Sequence, residues 1–277
     1  MNKLKKIIVA SLLCVATILV GSLAACGGNQ TSGENSTPHP ASTSDLKVGF
    51  CYFSDTNNGW YVAAANKDLS GALVIPSELE GHTIKYIGNS SFASSGLHNF
   101  SGCKYLTSVV IPNTVTGIND NAFSGCTSLK SVTMPTNSAG ISPSAFSGCT
   151  SLESIHLPAS GLGEGAFYGC TSLKSVTFAP STDSHGVFME SAFAGCTSLE
   201  NIELPKSVSG CLRGAFSGCT SLKNVTLSKS FTYFEQDVFK NCTSLQTITY
   251  EGTSAEWAKV KGIQYIPSNV TVVCLGD

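Results

Sequence analysis

From Leu106 onward the apolar residues return in a fixed phrase. Leu129, Val132 and Met134 are the apolar members of Leu-x-x-Val-x-Met, and polar Ser131 and Thr133 flank Val132. That alternation predicts a half-buried strand. Pro135 removes a ladder donor and ends it. A second apolar group, Ile118, Ala122 and Phe123, occupies the return half of the unit. Polar residues stand just ahead of Ala-Phe, Asn119 and Asp120 in one unit and Ser142 with Pro143 in the next. They predict the cap of a single helical turn. Gly125 permits the tight bend back to Cys126. The leading Leu recurs at positions 106, 129, 152, 173, 199, 222 and 245, in steps of 23, 23, 21, 26, 23 and 23. Self-similarity at this period means a solenoid of stacked coils.

One coil buries too little apolar surface to offset the entropy of ordering its backbone, so stacking must supply the difference through shared walls and strand hydrogen bonds. The strands are expected to form one parallel sheet. Open ends of such a stack expose core and strand edges and call for caps. At the N-terminal side, Val48–Phe53 and Trp60–Ala64 flank Thr56-Asn57-Asn58-Gly59 and read as a hairpin, followed by a first irregular repeat strand at Leu73-Val74-Ile75-Pro76. At the C-terminal side, Ser254–Val260 with Trp257 predicts a short helix and Val270–Cys274 a last strand.

The first 25 residues read differently. Lys3, Lys5 and Lys6 precede an apolar run from Ile7 to Val20, and small residues follow. This is the layout of a secretory signal peptide, although the run approaches the ~20 residues of a membrane span. The ending decides between them: Leu23-Ala24-Ala25-Cys26 resembles the lipobox of bacterial lipoproteins. The resemblance implies cleavage before Cys26, acylation of its thiol and a lipid hold on the membrane. The next stretch, 26–45, is rich in Ser, Thr, Gly and Pro and is expected to be a flexible tether.

The repeat phrase Ala-Phe-x-Gly-Cys-Thr-Ser-Leu-x-x-Val-x-Leu-Pro, seen at Ala122–Pro135 and Ala145–Pro158, resembles the BspA-type, or Treponema-type, leucine-rich repeat of bacterial surface proteins. The likeness covers about 69–251. It weakens at an insertion around Ser91-Phe92, at an extra Ala179 before Pro180, and where Ser228 and Glu251 stand in place of Pro. The short Gly161-Leu162-Gly163 unit and the long Asp183–His185 unit are expected to disturb curvature and to serve as recognition features. The resemblance implies an α/β solenoid: a leucine-rich repeat stack with one parallel β-sheet, short helical or 3-10 turns on the other side, and capped ends. The expected parts are a lipoprotein signal peptide over 1–25, the tether over 26–45, an N-terminal cap over 46–76, the solenoid over 77–251 and a C-terminal cap over 252–277.

Composition narrows the function. Charged residues are 12% of the chain, about half the usual ~25%. Net charge is −2; without the three N-terminal lysines, 13 basic groups face 18 acidic ones, or −5. No basic face is offered to a nucleic acid, so none is expected as a partner. Seven of the twelve cysteines, at 103, 126, 149, 170, 196, 219 and 242, keep the repeat phase. Without a C-x-x-C pair a zinc site is not expected. A ladder of disulfides would leave one of seven unpaired and needs Cβ geometry that identical stacked sites rarely offer, so small buried residues are the favoured reading. No nucleophile–base pair, metal set or cofactor motif emerges. Gly161-x-Gly163-x-x-Ala166 lies within a repeat and lacks the βαβ context of a dinucleotide loop. No catalysis, metal or cofactor is expected.

If Val132-type residues point inward, their neighbours point outward on one face. The candidate ligand-binding residues are therefore Ser131, Thr133, Ser154, His156, Ser175, Thr177, Asn201, Glu203, Asn224 and Thr226. Lys130, Glu153, Lys174, Glu200 and Lys223 flank them. The resulting expectation is a surface-anchored protein of the bacterial cell envelope, lipid-bound at Cys26, that binds other proteins or glycans or mediates adhesion. For some relatives the resemblance implies adhesion to host matrix proteins. The alternative is a structural or spacing protein of the envelope with no specific ligand.

Overall fold

The computed structural model describes residues 38–51, 59–88, 99–136, 140–158, 162–180 and 186–277. The signal peptide and Cys26, most of the tether, the Asn57-Asn58 turn, the Ser91-Phe92 insertion and Asp183–His185 lie outside them.

Among the described residues, nine parallel repeat strands make the front of the stack, and His39–Pro40 adds a short one at its start. The nine are Leu69–Val74, Tyr105–Val110, Ser131–Thr133, Ser154–Leu157, Ser175–Phe178, Asn201–Glu203, Asn224–Leu227, Thr247–Tyr250 and Thr271–Cys274. Register is set residue by residue: Val109 opposes Val132, Ile155 opposes Val176, and Val225 opposes Ile248. The ladder runs in three hydrogen-bonded blocks, broken after Thr133 and after Phe178. The second break falls at the 26-residue step, where extra chain must be accommodated. The inward residues of each strand are buried, among them Leu129, Val132, Ile155 and Val225.

The return side holds the expected short turns and one element beyond them. It carries a second row of short parallel strands: Gly59–Ala64, His82–Ile87, Gly117–Ile118 and Gly140–Ile141, then Gly186–Phe188, Val208–Cys211 and Tyr233–Phe234. Bridges through Leu162 join the two groups. Between this row and the next front strand, the residue before each Ala-Phe has positive φ: Asn121 55°, Ser144 55°, Ser191 57°, and Asp237 60° before Val-Phe. A left-handed residue cannot propagate a right-handed helix. The backbone N–H groups alternate in direction instead. Those of Ala122, Ser124 and Cys126 close turns three residues back, while those of Asn121, Phe123 and Gly125 donate to Pro143, Ala145 and Ser147 of the next coil. Half of the segment's donors thus bind coil to coil, as in a sheet.

The core between the rows is a column of phenylalanines. Phe100, Phe123, Phe146, Phe167, Phe193, Phe216 and Phe239 stack at centroid distances of 5.2 to 5.9 Å, with interplanar angles of 2° to 19°. These spacings exceed the ~4.8 Å between neighbouring strands, so the rings slip into the offset arrangement that aromatic faces prefer.

Both caps form. Leu46–Cys51 pairs antiparallel with Gly59–Ala64, as a hairpin requires. Thr271–Cys274 closes the front row beside Thr247–Tyr250. The predicted C-terminal helix spans Ser254–Trp257, with Thr253 Oγ1 accepting the Glu256 N–H. Trp257 lies against Tyr250 and Phe234. Gly262 is left-handed at φ 79°, and a Cβ there would collide with the Phe234 carbonyl. One boundary shifts. His39–Pro40 pairs with Leu69–Ser70, and Asp45 accepts hydrogen bonds from Ser42 and His39. The tether boundary drawn at 45 therefore falls inside a segment laid on the first coil, held there by buried Leu46.

Candidate binding face

Register places the predicted residues in two outward rows. One row is Ala72, Ser108, Ser131, Ser154, Ser175, Asn201, Asn224, Thr247 and Thr271. The other is Val74, Val110, Thr133, His156, Thr177, Glu203, Thr226, Thr249 and Val273. Nine of the ten sequence candidates are exposed, and Thr226 is half-buried. Two contacts tie them to each other: His156 Nδ1 lies 2.9 Å from Thr177 Oγ1, and Asn224 Nδ2 donates to Asn201 Oδ1 at 2.7 Å. Val74, 62% exposed, and Val110, 38% exposed, lie side by side at the N-terminal end of the second row. Strand alternation in the sequence already turns Val110 outward beside Ser108, while Val74 is missed; extending the repeat phase back one coil is the signal that finds it.

The flanking charges form their own column. Lys130, Glu153, Lys174, Glu200 and Lys223 alternate in sign from coil to coil. Lys223 Nζ meets Glu200 Oε2 at 2.9 Å, and the Lys223 ammonium holds the Glu200 carboxyl below its usual value. Alternation neutralises the column internally and leaves little field to steer a partner.

At the C-terminal ends of the strands from Ser175–Phe178 to Thr247–Tyr250, the face opens into a cleft of about 400 Å³. Its apolar wall is Phe178, Ala179 and Pro180 with Leu204 and Pro205; Thr177 and Thr226 of the second row line it, and Glu203, Lys206 and Glu251 border it. Ser228 belongs to it as well. Ala179, Ser228 and Glu251 are positions where the repeat departs from its own pattern.

The repeat cysteines serve the core. Cys103, Cys126, Cys149, Cys170, Cys196, Cys211, Cys219, Cys242 and Cys274 are free thiols. Six of the phased ones donate to a phenylalanine carbonyl of the preceding coil at 3.0 to 3.2 Å, as Cys126 does to Phe100 and Cys242 does to Phe216. Burial pushes the thiols of Cys103, Cys170 and Cys242 up to about 12 and the rest of the column higher. These are inert donors, not nucleophiles. The sequence does not announce the hydrogen bond itself; its trace is that this position holds Cys in all seven units led by Leu106 to Leu245, never Ala or Val. Among the described residues no three His, Cys, Asp or Glu side chains are grouped to hold a metal.

Comparison with known proteins follows the same lines. The BspA type leucine rich repeat region matches in six copies, over residues 94–189 and 182–259. A leucine rich repeat protein of T. pallidum is 22% identical, with 76% of this chain and 86% of that one covered and a TM-score of 0.49. One from Bacteroides ovatus is 21% identical, over 83% and 70%, with a TM-score of 0.42. A leucine rich cell surface protein from Faecalibacterium prausnitzii is 18% identical, over 82% and 98%, with a TM-score of 0.38. A comparison with curated proteins gives no match.

Proposed function

Because the chain belongs to the BspA-type leucine-rich repeat family, a family consistent with protein binding, we propose that it is a lipid-anchored protein of the bacterial cell envelope that engages another protein through the two outward rows of its front sheet. The carrying observation is the face itself: exposed hydroxyl and amide groups at a fixed pitch, little net field, and an apolar end at Val74 and Val110. Hydrogen-bonding groups set beside apolar area suit a protein surface, where burial of the valines supplies driving force and the hydroxyls supply fit. A host matrix protein or a neighbouring cell's surface protein is the partner class, with Cys26 as the lipid attachment and residues 27–37 as the tether.

A second reading rests on a different observation. The Asn201–Asn224 and His156–Thr177 contacts satisfy part of the face internally, which favours an envelope spacer with no specific ligand. Binding of the full chain to immobilised matrix proteins separates the two. Saturable binding that is lost on Thr133→Arg with Thr177→Arg supports the face. Binding that never saturates supports the spacer.

A further inference from the structure

Resting on the front face as a protein-binding surface, we propose that the cleft at the C-terminal ends of its strands is a specificity pocket for a basic side chain, arginine above all, flanked by an apolar residue on an extended polypeptide. The first argument is convergence. In four of the seven coils led by Leu106, Leu129, Leu152, Leu173, Leu199, Leu222 and Leu245, a proline ends the front strand directly after its last inward residue: Pro112, Pro135, Pro158 and Pro205. The rule fails three times, by the inserted Ala179, by Ser228 and by Glu251, and all three residues line this one cavity.

The second argument is shape. The inserted Ala179 still donates its N–H to Leu157 at 2.8 Å, so the extra residue is absorbed beyond the strand and carries Pro180 outward. Glu251, freed from the proline rule, continues its strand by donating its N–H to Leu227 at 2.9 Å. Ser228 does not fill the space between: it is buried, and its hydroxyl pairs with Ser230, which donates to the Lys206 carbonyl at 2.7 Å. The opening of about 400 Å³ lies in the range of small-ligand sites, ~300–1,000 Å³. It has room for one long side chain and an apolar neighbour.

The third argument is charge. Glu203 and Glu251 border the cleft with Lys206 alone to oppose them. Two coils and two residues separate the acids, roughly 12 Å between Cα atoms on sheet spacings. Two glutamate side chains reaching toward each other can close on one guanidinium, whose planar fork offers donors to both. The wall of Phe178, Pro180 and Pro205 then takes the apolar neighbour.

The test is a polarisation titration of the full chain with a fluorescein-labelled Gly-Leu-Arg-Leu-Gly peptide and its citrulline counterpart, which keeps the shape and removes the charge. Expected results are saturable binding of the arginine peptide, at least tenfold weaker binding of the citrulline one, and loss of that preference in Glu203→Gln with Glu251→Gln. Lys206→Ala is expected to tighten the arginine peptide. Circular dichroism establishes that each variant is folded. No binding, equal binding of the two peptides, or an unaltered preference in the Glu→Gln variant overturns the pocket. If protein binding still depends on Thr133, which lies outside the cleft, while the peptide preference is absent, the pocket alone fails. If the preference holds while no protein binds, the front-face reading fails.

Discussion

The Cys149 thiol donates to the carbonyl of Phe123, one coil earlier, at 3.2 Å, and the same oxygen accepts the Cys126 N–H at 3.2 Å. A carbonyl has two lone pairs, and here a turn takes one and the next coil takes the other. The thiol is therefore a coil-to-coil bond as well as filler. We predict that Cys149→Ala loses about 1–2 kcal/mol, from the lost hydrogen bond and a small void. Cys149→Ser, which keeps a donor, is expected to lose less. Urea unfolding of the two variants against the parent measures both. Equal stability of all three would leave the hydrogen bond without energetic meaning.

The buried thiols also predict how stability depends on pH. Folding raises Cys103, Cys170 and Cys242 from an ordinary 9.0 to about 12. Below pH 9 both states hold these protons and pH has no leverage. Between 9 and 12 the unfolded chain releases them while the folded one keeps them, so stability falls as pH rises. Each thiol contributes about 1.4 kcal/mol per pH unit in that window. The expected outcome is a steep loss of melting temperature above pH 9. Iodoacetamide at pH 8 is expected to spare the column until urea is added. Rapid native labelling would contradict the burial.

The alternating column carries a prediction about salt. Glu153 lies between Lys130 and Lys174 in the coil order, so Glu153→Lys makes a run of three like charges. Melting temperature should fall at low ionic strength. The deficit should shrink toward zero near 1 M salt, where the Debye length is ~3 Å. A deficit independent of salt would mean that the change disturbs packing rather than charge.

Anchoring has a separate check. With Cys26→Ala the acylation site proposed here is gone, and the chain is expected to move from the membrane fraction to the medium or the soluble fraction. Retention in the membrane would instead identify Ile7–Val20 as an uncleaved span.

The repeat phrase made much of this architecture legible. Leu129, Val132 and Phe123 announced the inward positions because burial on a fixed period needs the same residue class each time. The outward neighbours followed from strand alternation. Polar residues ahead of Ala-Phe are good caps and predict the short turns of the return side, but a cap is a local property and does not announce the strands beside them. What decided the outcome was not local: Asn121, Phe123 and Gly125 give their N–H groups to residues more than 20 positions ahead. The pairing of His39–Pro40 with Leu69–Ser70 was equally hidden, since two residues carry no period. The cleft was half visible. Ala179, Ser228 and Glu251 each stood out as irregular, but only the stacking register shows that they meet.

The forward direction of those back-side donors has a consequence for how the chain is made. Phe123 finds its acceptor only at Ala145, and Phe146 only at Ala166. In a chain that emerges N-terminus first, each turn therefore lacks its partners until about twenty more residues have followed it out, and every arrival completes the turn before it.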